Sequence, residues 1–310
     1  MAHRTVDNLH SMGFYNDTIS ELLQKAEQRI NCSEHGDARS PFVGVGLEGQ
    51  SARLDAEILL CDVMQFNRSK IYAHPQQLIP DDKSVLFKSL IEQRRQGHPI
   101  AHLTGKKEFW SLELAISKET LIPRPETECL VEAALRMIPD EASFSILDLG
   151  TGSGAVAIAI ASERPNSKIV ATDVNADALG LAKENANTHQ LDNIQFLFSD
   201  WYKSIPSQSF NLIVSNPPYI KQDDEHLLQG DVRFESELAL VAGTDGMKAI
   251  NIILENAKGY LTRDAFLLIE HGYDQKALVQ HAFQINGFKQ IKTLRDLSDQ
   301  DRITYGQTSD

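Results

Sequence analysis

The hydrophobic residues in the first third of the chain recur at the spacing of an α-helix. From Thr18, apolar side chains follow one another three or four positions apart, which places them on one helical face. The residues before it, 1–16, show no periodicity and are expected to form a disordered extension. The face that we expect to be buried consists of Ile19, Leu22, Leu23, Ala26 and Ile30.

Two further helices are predicted by the same spacing. Ser51 is suited to cap the first, which runs to about Phe66. The second begins at Asp81 or Asp82 and ends before Gly97, after two arginines that favour a helix C-terminus. The side chains expected on the buried faces are Leu54, Ile58 and Cys61 in the first helix and Val85, Leu86, Leu90 and Ile91 in the second.

A change of period divides the chain after these helices. Residues 32–50 are rich in glycine and indicate a long loop within a small helical domain, 17–105. Alternating apolar residues then predict a strand, in a hairpin that forms a linker over 106–124. The alternating residues are Trp110, Leu112, Leu114 and Ile116.

From residue 145 onward, strands and helices alternate, which indicates an α/β domain over 125–310 with a mostly parallel sheet covered on both faces. Two strands with little helical material between them end the chain and predict an antiparallel final pair. Strands are expected within 145–150, 168–174, 194–200, 210–216, 265–272, 287–294 and 302–306, and helices over 126–138, 154–164, 176–188, 245–261 and 274–286.

Composition and charge narrow the classes of function. The chain has 310 residues and a formal net charge of −13, which opposes broad adhesion to nucleic acid. No stretch has the length or hydrophobicity of a membrane span or a secretory signal, so we expect a cytoplasmic protein. The three cysteines, Cys32, Cys61 and Cys129, are far apart, and no metal-ligand spacing is present, so neither disulfides nor a metal site is expected.

A glycine-rich turn follows the first predicted strand of the α/β domain. Gly150, Thr151, Gly152, Ser153 and Gly154 come directly after an apolar strand and open a helix. Glycines allow a tight turn and close approach of a ligand, and the helix N-terminus supplies N–H groups. The spacing is GxGxG rather than the GxGxxG that is typical of dinucleotide sites.

Two acidic positions follow the next strands. Asp173 ends the strand after the glycine loop, where a carboxylate accepts hydrogen bonds from ribose hydroxyls. Asp200 and Trp201 follow the third strand, where a carboxylate and an aromatic face suit an adenine ring. Together these residues predict a nucleoside pocket.

The most specific motif is Asn216-Pro217-Pro218-Tyr219, directly after an apolar strand. Two prolines fix the backbone, so the asparagine side chain and the neighbouring carbonyls hold their direction. The tyrosine would clamp a flat group. This arrangement suits a planar amide or amine whose N–H groups must be held by acceptors.

DLGTGSG at 148–154 followed by NPPY resembles the class I S-adenosylmethionine-dependent methyltransferases that act on amide or amine nitrogens. More narrowly, the chain resembles the bacterial release factor glutamine methyltransferases over about residues 17–307. The motifs that carry this resemblance are RLDAEILL at 53–60, PIAHLTG at 99–105, LIPRPETE at 121–128, NPPYI at 216–220, VRFESELAL at 232–240 and EHG at 270–272.

The resemblance implies a seven-stranded, Rossmann-like methyltransferase sheet and an N-terminal helical bundle joined to it by a β-hairpin. It also implies S-adenosylmethionine as cofactor and the glutamine of the Gly-Gly-Gln motif in class 1 peptide chain release factors as substrate. The helical domain would then dock the folded factor, and the enzyme would act as a monomer with no DNA or membrane partner.

Roles for individual residues also follow from the resemblance. The cofactor would be bound by residues 150–154, Asp173, Asp200, Trp201 and Asn216. The substrate amide would be held by Asn216 and Pro217, the catalytic pair, with Pro218 and Tyr219 completing the slot. The family usually has proline where Ser236 stands, and the 1–16 extension and the 32–50 loop are longer than usual.

Several charged residues carry two interpretations. Arg94, Arg95, Lys106 and Lys107 form a basic stretch that is either a solvated helix end or a docking patch for an acidic partner. Glu126 and Glu128 are expected to stabilise a helix N-terminus, or to lie beside the cofactor. Glu270 and His271 are expected to support the site structurally.

Three alternatives to release factor methylation stay open. The related methylation of a glutamine in a large-subunit ribosomal protein uses the same chemistry, although the RPETE segment favours release factors. Adenine methylation in nucleic acid would also use NPPY, but the negative charge opposes it. A cofactor-binding regulatory module would not need an intact Asn216.

Overall fold

The computed structural model describes residues 17–31, 50–228 and 230–309. The predictions for the 1–16 extension and for residues 32–49 of the loop lie outside the described residues. The described residues form two compact units: the first runs to Thr104 and includes the segment Leu228–Arg233, and the second comprises the rest. None of the described helices combines the length and the hydrophobicity that crossing a membrane requires.

The first unit is built from helices. Every apolar residue predicted to be buried on the first helix is buried, because that face packs into the core of this unit. The core also takes side chains from the second and fourth helices. The helices are α1 (Ile19–Asn31), α2 (Gln50–Met64), α3 (Arg68–Ala73), α4 (Asp81–Arg95) and α5 (Ile100–Thr104).

The buried face of α4 agrees with the prediction at Leu90 and Ile91 and differs from it at Val85 and Leu86. Val85 and Leu86 are 60% and 47% exposed. The buried stripe instead follows Ser84, Phe87, Ile91 and Arg94, which are spaced at the helical repeat. Periodicity alone admits either face, and the large Phe87 ring takes the core position. The helix also begins after Pro80, so Asp81 and Asp82 lie in the first turn rather than at the cap.

The face predicted for α2 is wrong at Leu54, whereas Cys61 packs against the core of this unit. Leu54 is 40% exposed, and Ile58 and Cys61 are only half-buried. Helix α2 packs against both α1 and α4, so it needs a broad face of small and large side chains rather than a narrow stripe. The residues buried on it are Ala52, Ala56, Leu59, Leu60 and Val63.

Arg94 and Arg95 of the basic stretch are bound to carboxylates of their own unit. Arg94 is 7% exposed. Its guanidinium pairs with Asp55 at 2.7 Å and Asp231 at 3.2 Å, and Arg95 pairs with Glu92 at 2.5 Å. These arginines therefore stabilise the helical unit instead of forming a docking patch.

The predicted hairpin opens the second unit, as β1 (Lys106–Phe109) and β2 (Leu112–Ala115) in antiparallel register. Trp110 lies in the turn rather than on a strand. Trp110 and Ser111 have φ of 53° and 59°, the geometry that a two-residue hairpin requires. The Asn185 side chain bonds both backbone groups of Ala115 and so ties the hairpin to this unit.

The seven-stranded sheet has the order β5-β4-β3-β6-β7-β9-β8. The first five strands in this order are parallel, and β9 is antiparallel to both of its neighbours, as the short final connection predicts. The strands are β3 (Ser145–Leu149), β4 (Lys168–Asp173), β5 (Ile194–Phe198), β6 (Phe210–Ser215), β7 (Leu261–Glu270), β8 (Lys289–Arg295) and β9 (Asp301–Gln307).

Helices cover the sheet and bury its apolar strands. Strand order reverses between β3 and β6, and such a switch point opens a crevice at the carboxyl ends of the strands. The helices are α6 (Glu128–Met137), α7 (Ala155–Glu163), α8 (Ala176–Thr188), α9 (Glu237–Leu240), α10 (Lys248–Ala257) and α11 (Lys276–Ile285), with 3-10 turns at Pro125–Thr127, Glu225–Leu228 and Val232–Phe234.

Two helix boundaries depart from the predictions for a physical reason. Helix α10 begins three residues later than predicted, because Gly246 adopts φ of 75°, a value that an α-helix does not contain. The helix predicted from Glu126 begins as a 3-10 turn at Pro125 and becomes α-helical only at Glu128.

Candidate methyl-transfer site

A cavity of about 410 Å³ lies at the carboxyl ends of β3, β4 and β6. This volume is within the range of small-molecule sites. Every residue that lines it belongs to the second unit. The predicted site residues among them are residues 150–153, Asp173, Asp200, Trp201, Asn216 and Pro218.

The glycine loop connects β3 to α7 beneath this cavity. Gly150, Gly152 and Gly154 have φ of 73°, 55° and 86°, a region that L side chains rarely adopt. At Gly154 a Cβ would also lie 2.9 Å from Ile158 and 3.1 Å from Ala182. Glycine is therefore required at all three positions, and at the last it also permits α7 to pack against α8.

Asp173 connects the glycine loop to the next strand. One carboxylate oxygen accepts a hydrogen bond from the Gly152 N–H, and the other accepts one from the Asn175 N–H, both at 2.9 Å. A carboxylate offers about four lone-pair positions. Two remain for hydroxyl groups of a ligand in the cavity.

Trp201 and Asp200 form the part of the wall next to the first glycine of the loop. A Cβ at Gly150 would lie 3.8 Å from the Trp201 ring, so the indole covers the first glycine. Trp201 adopts φ of 49°. The Asp200 carboxylate is paired with Lys203 at 2.6 Å and is 45% exposed. This geometry leaves the indole as the flat apolar surface of the wall.

Asp148 is a lining residue that the sequence motifs did not single out. It is buried, and its carboxylate accepts a 2.6 Å hydrogen bond from the Thr151 hydroxyl. Burial raises the pKa of Asp148 to about 7, helped by the charge of Asp173, while the Thr151 bond opposes the rise. The sequence feature that could have identified Asp148 is its position as the one carboxylate within the apolar strand SILDL.

Asn216 presents an oriented amide to the cavity. Its Nδ2 donates to the Thr127 hydroxyl oxygen at 3.1 Å. Its Oδ1 is buried and has no hydrogen-bond partner among the described residues. A buried acceptor without a partner is costly, so this atom marks a place where a donor from a ligand fits.

Of the other NPPY residues, only one lines the cavity. Pro218 lines the cavity, whereas Pro217 is buried beside it. The Tyr219 side chain does not line the cavity, and its hydroxyl donates to Glu270 at 3.3 Å. Thr127, Ser236 and Leu238 complete the wall around Asn216, and the sequence had pointed to Ser236 only as a departure from the family pattern.

Hydrogen bonds hold the separate motifs around the cavity. Glu235 accepts from the Ile122 N–H and the Arg124 guanidinium, which joins VRFESELAL to LIPRPETE. Ile220 bridges to Val241. The Gln275 side chain donates to the Tyr219 carbonyl at 3.0 Å and accepts from the Gly272 N–H at 2.8 Å. The NPPYI loop is thus fixed on two sides.

Glu270 is the last residue of β7, and His271 follows it behind the site. His271 bonds the Thr304 hydroxyl and the Gly272 carbonyl, each at 2.8 Å, and burial lowers its pKa. Burial raises the pKa of Glu270 to about 7, against the opposing effects of the Thr127 hydroxyl, Arg302 and Tyr219. Neither side chain lines the cavity.

Two of the remaining charged candidates, Glu128 and Lys106, have local partners. Glu126 and Glu128 do not line the cavity. Glu128 instead accepts from the Trp110 N–H at 2.9 Å and supports the hairpin turn. Lys106 pairs across the hairpin with Glu113 at 3.1 Å. Among the described residues, no group of histidine, cysteine and acidic side chains is arranged to hold a metal ion.

Comparisons with known proteins agree with this architecture. The family described as Methyltransferase small domain matches residues 127–234, and the family described as PrmC N-terminal domain matches residues 47–105. The first match contains the glycine loop and NPPY, and the second covers most of the helical unit.

Relatives with curated names are similar over most of the chain. The release factor glutamine methyltransferase of Escherichia coli (strain K12) is 48% identical over 258 residues, which cover 83% of this chain and 93% of the relative. That of Shewanella oneidensis is 42% identical over 266 residues, which cover 86% of this chain and 93% of the relative. A methyltransferase structure from Pyrococcus furiosus matches with a TM-score of 0.50 at 16% identity, over 72% of this chain and 98% of that one, and supports the fold.

Proposed function

This chain belongs to the release factor glutamine methyltransferase family, and from that premise we propose how its residues perform the reaction. It is a protein-glutamine methyltransferase that uses S-adenosylmethionine. The substrate that we propose is the glutamine of the Gly-Gly-Gln motif in class 1 peptide chain release factors. The products are a glutamine with one methyl group on its side-chain nitrogen and S-adenosylhomocysteine, which keeps the electron pair of the broken carbon–sulfur bond.

The cavity fits the cofactor. Residues 150–154 leave room for the close approach of its methionine part, and Asp173 has two free lone-pair positions for the ribose hydroxyls. The Trp201 indole, with Asp200 beside it, lines the part of the cavity where we propose that the adenine ring binds. When bound, S-adenosylmethionine supplies a methyl group on a positively charged sulfur, which is a strong electrophile.

The task of the protein is then to orient a weak nucleophile. A primary amide nitrogen is a poor nucleophile because its lone pair is delocalised into the carbonyl. Asn216 Oδ1 accepts one N–H of the substrate amide, and the Pro217 carbonyl is proposed to accept the other. These bonds align the nitrogen with the methyl carbon and stabilise the positive charge that develops on it. The methylated nitrogen then loses a proton readily, so no strong base is required.

The observation that carries this proposal is the buried, unpartnered Oδ1 of Asn216 at the cavity wall. An acceptor in this position suits an N–H donor. The same acceptor would serve the exocyclic amine of adenine, so the geometry of Asn216 alone does not distinguish the two substrates. The family relationship and the net charge of −13 favour the protein substrate.

Methyl transfer from radiolabelled S-adenosylmethionine tests the substrate directly. The purified chain is incubated with a release factor, with the same factor carrying Gly-Gly-Ala, with large-subunit ribosomal proteins and with duplex DNA. We expect label in the Gly-Gly-Gln factor alone. Label in the Gly-Gly-Ala factor, the ribosomal proteins or DNA would contradict the proposed substrate.

We also propose that the helical unit docks the folded substrate. A cavity that accepts one flat amide cannot by itself select one glutamine among many, so selection needs a second surface. The exposed Val85 and Leu86 side chains of α4 offer apolar contact area that the core of this unit does not use. Since the nearby arginines are paired within their own unit, this surface replaces the basic stretch as the docking candidate.

The setting of the reaction follows from its substrate. Release factors act during translation, so we propose that the enzyme works in the cytoplasm. A monomer is proposed from the family resemblance alone. DNA has no role in this proposal.

A further inference from the structure

The orientation of the Asn216 amide depends on a buried polar chain behind it. An asparagine amide can turn over and exchange its oxygen for its NH₂ group with little change in shape. Only one of the two orientations presents an acceptor to a substrate amide. In the structure that orientation is set by Thr127, whose hydroxyl oxygen accepts from Asn216 Nδ2 at 3.1 Å.

Thr127 in turn needs an acceptor for its own proton. It is 3% exposed although it lines the cavity, so bulk water has little access to it. A hydroxyl has one proton and two lone pairs, and it remains an acceptor toward Asn216 without ambiguity only when its proton is bound elsewhere. In the structure this proton has no acceptor within hydrogen-bond distance among the described residues, and the buried Glu270 carboxyl is the neighbouring group whose pKa the Thr127 hydroxyl lowers.

Glu270 is arranged to receive that proton. It is 1% exposed, at the end of β7, and its Oε1 accepts from the Tyr219 hydroxyl at 3.3 Å. Its Oε2 is buried and has no hydrogen-bond partner among the described residues. This oxygen is therefore an available acceptor beside a hydroxyl that must donate.

We propose that Glu270 is a positioning residue that acts through Thr127 to hold Asn216 Oδ1 toward the substrate. The carboxylate fixes the Thr127 proton, the Thr127 oxygen fixes Asn216 Nδ2, and Oδ1 is left facing the cavity. Glu270 does not touch the substrate, and its contribution is to exclude the flipped amide. This inference rests on the proposed function, and it assigns a role to the EHG and LIPRPETE motifs in substrate selection.

The flipped amide has a chemical signature. With its NH₂ group toward the cavity, Asn216 would donate rather than accept, and it would favour a carboxylate over an amide. A release factor with Gly-Gly-Glu in place of Gly-Gly-Gln has such a carboxylate. Loss of the positioning chain should therefore lower activity on the glutamine and strengthen inhibition by the glutamate factor.

The test compares Thr127→Val, Thr127→Ser and Glu270→Gln with the unaltered enzyme at pH 8, above the pKa of about 7 to which burial raises Glu270. Valine keeps the shape of threonine without a hydroxyl, whereas serine keeps the hydroxyl. Glutamine at 270 introduces an NH₂ group that competes with Asn216 for the Thr127 oxygen. Thr308→Val is the matched control, because this 7% exposed threonine bonds Ala265 and Thr262, away from the cavity.

We expect Thr127→Val and Glu270→Gln to lower kcat by roughly 10- to 100-fold while the Kd for S-adenosylmethionine changes less than about twofold. Inhibition by the Gly-Gly-Glu factor should become at least about tenfold stronger relative to the KM for the Gly-Gly-Gln factor. Thr127→Ser should restore kcat to within about threefold, and Thr308→Val should match the unaltered enzyme.

Each other outcome overturns the inference. If kcat falls only in proportion to the fraction of enzyme that still binds cofactor, Glu270 and Thr127 merely stabilise the fold. If the preference between Gly-Gly-Gln and Gly-Gly-Glu factors does not change, the orientation of the Asn216 amide does not depend on Glu270 and Thr127. Should Thr127→Val fail to fold, Glu270→Gln gives the same measurements. Activity of the unaltered enzyme on the release factor tests the proposed function separately.

Discussion

The carboxylate of Asp173 accepts a 2.9 Å hydrogen bond from the backbone N–H of Gly152, which lies 21 positions earlier in the chain. The residue proposed to bind the ribose therefore also holds the loop that approaches the rest of the cofactor. This arrangement makes cofactor affinity sensitive to Asp173 in two ways, through a direct contact and through the shape of the loop.

Replacing Asp173 should separate these two contributions. Asp173→Ala removes both, and we expect cofactor binding to weaken by roughly 1.5–3 kcal/mol. Asp173→Asn keeps an oxygen for the Gly152 N–H but loses the charge, so we expect this variant to lose less of the free energy of cofactor binding. Isothermal calorimetry measures both values, and an unchanged affinity in the alanine variant would exclude a role in ribose binding.

Asn216→Ala removes the oriented acceptor. We expect kcat to fall by roughly 100- to 1000-fold, because the lost bond matters most where positive charge develops on nitrogen. The Kd for S-adenosylmethionine should change much less, and the melting temperature should stay close to that of the unaltered enzyme. Full methylation by this variant would show that Asn216 is only a loop residue.

Asp148 should make stability depend on pH. Its pKa is about 7 in the folded state and near 3.8 when unfolded, so the folded protein retains a proton that the unfolded chain has released. Stability therefore falls as pH rises from about 4 to 7, by about 1 kcal/mol per pH unit in the steep part.

Asp148→Asn removes this contribution, and urea unfolding without cofactor at pH 5, 6 and 7 measures it. We expect the free energy of unfolding to decline less steeply over this range in the variant. The difference between the two proteins isolates Asp148 from Glu270, which acts in the same direction, and from His271, whose lowered pKa acts in the opposite one. Parallel pH profiles would contradict the raised pKa.

Ser236→Pro should be tolerated and mildly stabilising. Ser236 stands where the family usually has proline, and its φ of −65° is the value that a proline ring imposes. Its backbone N–H has no hydrogen bond among the described residues that proline would remove. We expect a gain of roughly 0.4–1 kcal/mol in the free energy of unfolding with methylation retained. A clear loss of stability would mean that the preceding backbone does not accept proline.

Changing the docking surface proposed on α4 should raise the KM for the intact release factor. Val85→Ser with Leu86→Ser is expected to raise KM for the intact release factor by about tenfold, through loss of apolar contact area. The KM for a short Gly-Gly-Gln peptide should not change. Leu278→Ser is the control, since Leu278 is 51% exposed on α11, in the second unit. If Leu278→Ser raises the KM for the intact factor as much as the double variant does, α4 has no specific role in docking.

The sequence by itself determined those features that depend on the conformational preferences of single residues and their neighbours. Positive φ at three alternate positions requires glycine, so DLGTGSG by itself specifies the tight turn. The alternation of apolar strands and helices determined the parallel sheet, and the two prolines after Asn216 determined a rigid loop at its edge. Each of these signals depends on a residue's own conformational limits or on its immediate neighbours.

Other features were decided only by the tertiary structure. Val85 and Phe87 are both apolar, and only packing against α1 and α2 selected Phe87 for the core. Tyr219 was expected to clamp the substrate, but its hydroxyl is directed to Glu270 by the strand order of the sheet. The contact between Thr127 and Asn216 joins residues 89 positions apart. The contact between Tyr219 and Glu270 arises because β6 and β7 lie side by side, and no local spacing in the sequence encodes either contact.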